Sequence, residues 1–194
     1  MKKLVMIVGL MLGLSGGMAN AVPINGGLTT VEVTAPLGAL GLGGAPFGTA
    51  TADGAVFSFP ITGGSAKDDG LLIEHVGSGV TLFTLDTDDQ RSVTVGNFLI
   101  DTAQQTVFGD VIGGGATNLD LFSFGSDPNG IGLNITDTLA GALTQLFGAP
   151  NLAGAQFGVA NTSPSVVPLP ASVLLMLGGL GALGAIRAMR TRRA

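Results

Sequence analysis

The chain has no cysteine, no tryptophan and no tyrosine, and only 11% of its 194 residues are charged. Without cysteine it has no disulfide framework, no thiolate metal site and no cysteine nucleophile. Its stability must therefore come from a packed core of Val, Leu, Ile and Phe. The length allows one domain with short appendages.

Positive charge is scarce between the two ends of the chain. Lys67 and Arg91 are the only basic residues in the stretch that holds all thirteen acidic ones, so that stretch carries a net charge of −11. The other basic residues stand at the ends: Lys2, Lys3, Arg187, Arg190, Arg192 and Arg193. A field of this sign repels nucleic acid and anionic membrane surfaces. We expect no nucleic-acid partner.

The first 21 residues have the pattern of a secretory signal peptide. Lys2 and Lys3 precede an apolar run over residues 4–14, and Ala19 and Ala21 form a small-x-small cleavage site. The run is about 11 residues long, whereas a membrane-spanning helix needs about 20. We therefore predict export by the Sec translocon and cleavage by signal peptidase, leaving Val22 as the new N-terminus.

The middle of the chain predicts an all-β fold, an antiparallel sandwich or barrel. The secondary structure of residues 22–54 as a whole is poorly determined by the sequence pattern. Within it, residues 28–34 alternate as a strand does, whereas residues 35–48 are more typical of a loop. Residues 55–162 form the predicted β-rich domain, with a hairpin tip at residues 87–90. Its short strand-like segments recur at spacings of roughly ten residues. They cover residues 55–61, 70–76, 80–85, 91–101, 106–112, 119–124, 131–136 and 153–162.

One segment near the end of this domain has helical periodicity. Its apolar residues fall on one helical face: Leu139, Leu143, Leu146 and Phe147. Thr136 suits the N-cap, Asp137 complements the positive end of the helix, and Gly148 with Pro150 marks the stop. The pattern predicts one short helix that covers an edge or an end of the sheet.

The C-terminal tail has three parts in order. A proline-containing linker over residues 163–170 leads into the VPLPA motif, an apolar helix follows at residues 171–188, and a basic segment closes the chain at residues 189–194. The apolar run of 16 residues reaches roughly 24 Å as a helix, against a hydrocarbon core of about 30 Å. Its flanking arginines, Arg187, Arg190, Arg192 and Arg193, would keep the C-terminus in the cytoplasm. The tail therefore predicts a short helix that anchors the protein in the membrane only transiently.

This arrangement resembles the PEP-CTERM class of bacterial sorting signals, in its VPLPA variant. The motif consists of Val167, Pro168, Leu169, Pro170 and Ala171. The resemblance implies a Gram-negative host and processing by an exosortase, a membrane enzyme. It also implies an inner-membrane-anchored precursor that reaches the cell surface or extracellular matrix, often with exopolysaccharide.

The body resembles, more faintly, the HtaA-type domains of secreted bacterial proteins, some of which bind haem. The resemblance rests on residues 61–64, 73–81, 93–102, 109–111, 142–148 and 158–162. In that family the haem ligand is a tyrosine backed by a histidine. This chain departs from the pattern because it has no tyrosine.

Two places carry candidate binding residues. His75, the only histidine, is a candidate ligand for haem or a metal, although as a strand neighbour Glu74 would point to the opposite face. Asp86, Asp88 and Asp89 form the densest acidic cluster and are a candidate calcium site, with solvated turn carboxylates as the alternative.

We expect no enzyme, since no nucleophile or acid–base set can be assembled, and we expect no cofactor. The sequence predicts an exported surface or matrix protein with a structural or adhesive role, associated with exopolysaccharide or biofilm. The alternative is a surface module that binds haem, calcium or glycan.

Overall fold

The structure, a computed structural model, describes residues 21–167 and is mostly antiparallel β-sheet. The described part has eleven strands, a 3-10 helix at Leu37–Leu40 and one α-helix, α1, at Asp137–Phe147. This confirms the prediction of an all-β fold with one short helix near the C-terminal end. The strands are β1 (Val22–Val33), β2 (Leu42–Gly48), β3 (Thr51–Asp53), β4 (Val56–Pro60), β5 (Gly63–Lys67), β6 (Gly70–Thr84), β7 (Ser92–Asp101), β8 (Thr106–Val111), β9 (Leu119–Asp127), β10 (Gly130–Ile135) and β11 (Gln156–Val166).

Several predictions fall outside the described residues. These are the signal peptide up to residue 20, the sorting motif from Pro168 onward, the apolar helix and the basic segment. Among residues 21–167, no helix has the length and apolar character needed to cross a membrane.

The sheet closes on itself. From β5 to β11 each strand pairs with the next along the chain, and the first strand, β1, pairs with both β5 and the last strand, β11. The ladder between β1 and β11 is long, running from Ile24 opposite Val166 to Val33 opposite Gly158. β4 also pairs with β1, and β2 lies against β6. The strands therefore enclose a common interior.

The closed sheet has two different ends. β1 starts and β11 finishes at one end, which we call the terminal end; there the Val167 amide donates to the Pro23 carbonyl at 3.0 Å. At the opposite end β1 leads into the 3-10 helix and β10 leads into α1. We call this the helical end. It also holds the connection between β6 and β7, residues 85–91, which includes the predicted hairpin tip at residues 87–90.

α1 forms where the sequence predicts it. The Thr136 side chain accepts a hydrogen bond from the Leu139 amide at 3.3 Å, and Gly148 closes the helix in the left-handed conformation, with φ of 69°. Leu139, Ala140 and Leu143 are buried against the sheet. The helix thus covers part of the helical end with its apolar face.

The sequence predicts two separate strands over residues 70–76 and 80–85, but the structure has one continuous strand, β6. Its pairing with β7 shifts between His75 and Gly79, which marks a β-bulge. The bulge changes the phase of the alternation, so His75 and Val80 both line the interior despite their odd spacing. The Gly77 amide bonds the Asn97 side chain at 2.9 Å across it. The break between these two predicted segments is therefore a β-bulge within one strand.

Two further segments are more ordered than the sequence predicts. Residues 35–48, expected as a loop, contain the 3-10 helix and β2, whose backbone pairs with β6 from Leu42 to Gly48. Residues 163–166, expected in the linker, continue β11, and Pro164 lies opposite Gly27. Backbone pairing needs no alternating side chains, so a glycine- and proline-rich segment can join a sheet edge.

The core fills the interior of the closed sheet. It consists of inward-facing side chains from nearly every strand together with those of α1. Its largest members are Ile24, Phe57, Phe59, Ile61, Ile73, Leu82, Phe98, Ile100, Leu121, Phe122, Leu133, Ile135, Leu139 and Leu143. Three polar residues are buried with them: Thr29, His75 and Ser78.

Candidate functional site

A chain of polar groups crosses the apolar interior. His75 on β6 reaches Thr29 on β1, with 2.8 Å between Nε2 and Oγ1. Thr29 Oγ1 lies 2.9 Å from Thr162 Oγ1 on the neighbouring strand β11. On its other side, His75 Nδ1 lies 3.4 Å from the Phe98 carbonyl oxygen on β7. The chain thus joins four strands through the middle of the closed sheet.

The carbonyl partner fixes the direction of one hydrogen bond, and the neutral state of the imidazole fixes the directions of the other two. A carbonyl oxygen only accepts, so Nδ1 of His75 carries the proton and donates to Phe98. Nε2 is then the acceptor, and the Thr29 hydroxyl donates to it. Since that hydroxyl has one proton, its oxygen accepts from Thr162. The neutral imidazole satisfies this network. A charged one would donate from both nitrogens, with the Thr29 hydroxyl turned to donate to Thr162, so these hydrogen bonds permit either state.

Burial keeps His75 neutral. The residue is 1% exposed, and desolvation lowers its pKa from 6.5 to about 4, with the hydrogen bond to Phe98 acting in the opposite direction. Phe59 packs edge-on against the imidazole, with 6.4 Å between ring centroids. The Ser78 hydroxyl donates to the His75 carbonyl at 3.0 Å. No buried side-chain polar atom of the described residues lacks a partner.

Beside these hydrogen-bonded polar groups lies an apolar cavity of about 180 Å³. An engineered cavity of about 150 Å³ in another protein stays dry and binds benzene. The wall is made of aliphatic and aromatic side chains from both sides of the closed sheet and from α1. Its polar members are Thr29, His75, Gln156 and Thr162, and no charged residue lines it.

The cavity reaches the surface at the helical end. Four of its lining residues are exposed, and they border the 3-10 helix, β2 and the start of β11: Pro36, Gly44, Ala155 and Gln156. Nearby inward-facing side chains, such as Val33, Phe124 and Phe157, are only half-buried. We call this opening the mouth. It lies at the opposite end from Val22 and Val166.

The three carboxylates of the candidate calcium site, Asp86, Asp88 and Asp89, do not group around one point. Asp86 accepts a hydrogen bond from the Asp88 amide at 2.9 Å, while Asp89 forms an ion pair with Arg91. Arg91 also donates to the Leu146 carbonyl at the end of α1 and so ties the hairpin tip to the helix. Within residues 21–167, no three acidic or histidine side chains group as a metal site.

Haem does not fit the described residues. Both nitrogens of His75 are engaged in the interior, and the chain has no tyrosine to serve as a ligand. The cavity of 180 Å³ is also below the range of about 300–1,000 Å³ that is usual for drug-sized ligands. We therefore assign no haem chemistry to the interior.

Sequence reasoning singled out His75 but missed its partners. In residues 28–34, Thr29, Val31 and Val33 fall on one face and Glu32 on the other. Because charged Glu32 is expected to face solvent, Thr29, on the opposite face of the strand, is expected to face the interior. Thr162 had no such signal, because its place depends on the pairing of β11 with β1.

No protein-family model, no curated protein and no solved structure matches this chain. The two resemblances stated from the sequence therefore stay predictions.

Proposed function

We propose that this protein is an exported surface or matrix component of a Gram-negative bacterium, with a structural or adhesive role. In this proposal the Sec translocon and signal peptidase export it, an exosortase-type enzyme processes the tail, and the body associates with exopolysaccharide. The body performs no catalysis. A transient inner-membrane precursor precedes the surface form.

One observation supports this assignment most strongly. The closed sheet begins at Val22, next to the predicted cleavage site, and ends at Val166, next to the predicted sorting motif. Within residues 21–167, the buried core side chains run from Ile24 to Ala160. Removal of the signal peptide and of the tail would therefore leave this part of the sheet and its core in place. A body with these limits suits delivery as a folded unit.

The surface charge is consistent with a hydrated matrix. Nine carboxylates are exposed in turns, in strands or on the helix: Glu32, Asp53, Asp68, Asp69, Asp86, Asp88, Asp89, Asp120 and Asp137. A net negative surface keeps a protein dispersed and away from anionic lipid. The same surface can be bridged to acidic polysaccharide by divalent cations in solution.

The sorting step is tested by replacing Pro168 and Pro170 with alanine in the producing cell. We expect an unprocessed precursor that stays in the membrane fraction, measured by fractionation and mass spectrometry. Pro164→Ala is the matched control, because Pro164 lies within β11. An unchanged amount and location of the mature product in the double variant would refute the sorting proposal.

The matrix role is tested on the same cells. We expect the mature product in the extracellular polysaccharide fraction, and release of it when that polysaccharide is digested enzymatically. If the product stays with washed cells after digestion, the association with polysaccharide is wrong even where the sorting step is right.

A further inference from the structure

We propose that the cavity at the helical end is a binding site for one small, neutral, apolar molecule that enters through the mouth. This goes beyond the structural role proposed above and does not depend on it. The site is a property of the folded body, wherever the body is delivered.

The chemistry of the wall defines the ligand class. No charged side chain lines the cavity, so a charged ligand would lose its hydration without gaining a partner. Aromatic walls such as Phe57 and Phe122 offer dispersion contacts to aliphatic or aromatic groups. The size, 180 Å³ against about 150 Å³ for a cavity that holds benzene, sets the scale at one or two rings or a short branched chain.

The polar chain at the inner side of the cavity is already satisfied. His75 and Thr29 use their donors and acceptors on each other and on their neighbours. The ligand therefore needs no polar group to complete the protein. The Thr162 oxygen keeps a lone pair, so a single neutral donor on the ligand is tolerated.

The mouth gives the molecule a way in. Gly44 stands on β2 at the opening, where an added Cβ would meet Phe57, Val80 and Leu82 at 3.5–3.8 Å, ordinary contact distances. Any larger residue at this position would project into the cavity. The bare glycine therefore leaves the space open, and the site can be closed by one substitution.

The chain offers an unusually clean assay because it contains neither tryptophan nor tyrosine. Indole is a neutral bicyclic probe whose fluorescence shifts to shorter wavelength in apolar surroundings. We would titrate indole into the full chain in lipid nanodiscs, with empty nanodiscs as the blank. Detergent is avoided since its tails compete for an apolar cavity.

We expect a saturable blue-shifted component of one indole per chain, and binding weaker by about tenfold or more in Gly44→Leu. Ala45→Leu is the matched control, because Ala45 is on the other face of the same strand. It should bind indole as the parent chain does. Folding of each variant is verified by far-UV circular dichroism, and Val80→Phe fills the cavity from β6 if Gly44→Leu does not fold.

Two results would overturn the proposal. One is the absence of any saturable component above the nanodisc blank in the parent chain. The other is equal indole affinity in the parent and in a folded cavity-filled variant, which would place the probe elsewhere. Neither result bears on sorting, which is measured in cells by fractionation.

Discussion

The buried histidine makes stability depend on pH in a window that the structure defines. His75 has a folded-state pKa of about 4 and an ordinary value of 6.5 when unfolded. Between these pH values the imidazole is mostly protonated in the unfolded chain and mostly neutral in the folded chain. The free energy of unfolding therefore falls as the pH is lowered from 6.5 towards 4, and levels off below the folded value.

The size of the effect follows from the gap between the two pKa values. Each pH unit in that gap is worth about 1.4 kcal/mol, so the titration of His75 removes about 3 kcal/mol. Two carboxyl groups also make the free energy of unfolding depend on pH, but at lower pH values than His75. Hydrogen bonds from the Gln104 and Asn129 amides lower the pKa of Asp101 and Asp127, so the stability they add is lost only as the pH falls through those lowered values.

The assay is urea unfolding of residues 21–167, followed by far-UV circular dichroism between pH 4 and pH 7. His75→Gln is the control variant. It should be less stable at pH 7, because the buried network is disturbed, yet lose much less stability on acidification. Since His75 is the only histidine, its imidazole signals in a proton NMR titration report the folded pKa directly. A folded pKa near 6.5, or identical pH slopes for parent and variant, would refute the reasoning.

Two further substitutions test local features of the fold by the same urea unfolding. Gly48→Ala should destabilise by about 1–3 kcal/mol more than Gly54→Ala, because both glycines have positive φ but only at Gly48 would a Cβ overlap the Gly77 carbonyl; equal losses would show that the contact is unimportant. Thr136→Ala should cost about 1 kcal/mol through loss of the α1 cap, whereas Thr136→Ser should be close to neutral. Equal destabilisation by both Thr136 variants would argue against the cap.

Local features of this fold were predictable from the sequence. Thr136, Asp137 and Gly148 mark the limits of α1 because capping is a matter of neighbouring residues. The hairpin tip between β6 and β7 was also predictable, because the residues that form it are neighbours in the sequence. Each of these signals acts over a few residues, so the sequence carries it without reference to the rest of the chain.

The closure of the sheet was not predictable in the same way. Thr29 and Thr162 meet across 133 positions of sequence, and the alternation of a strand indicates a face but not a partner. Residues 42–48 lack alternation and still form β2, because their backbone pairs with that of β6. The cavity follows from both facts, since it exists only once the closing strands are in place.

The adjacency of Pro23 and Val167 has a further consequence for the topology. Because the two ends of the body lie side by side, a short peptide could join them without disturbing the pairing of β1 with β11. The closed ring of strands would then be uninterrupted, and new ends could be opened at an exposed hairpin such as residues 87–90. In this sense the fold is cyclic, and the pairing of the strands does not by itself require the breakpoint to lie between Pro23 and Val167.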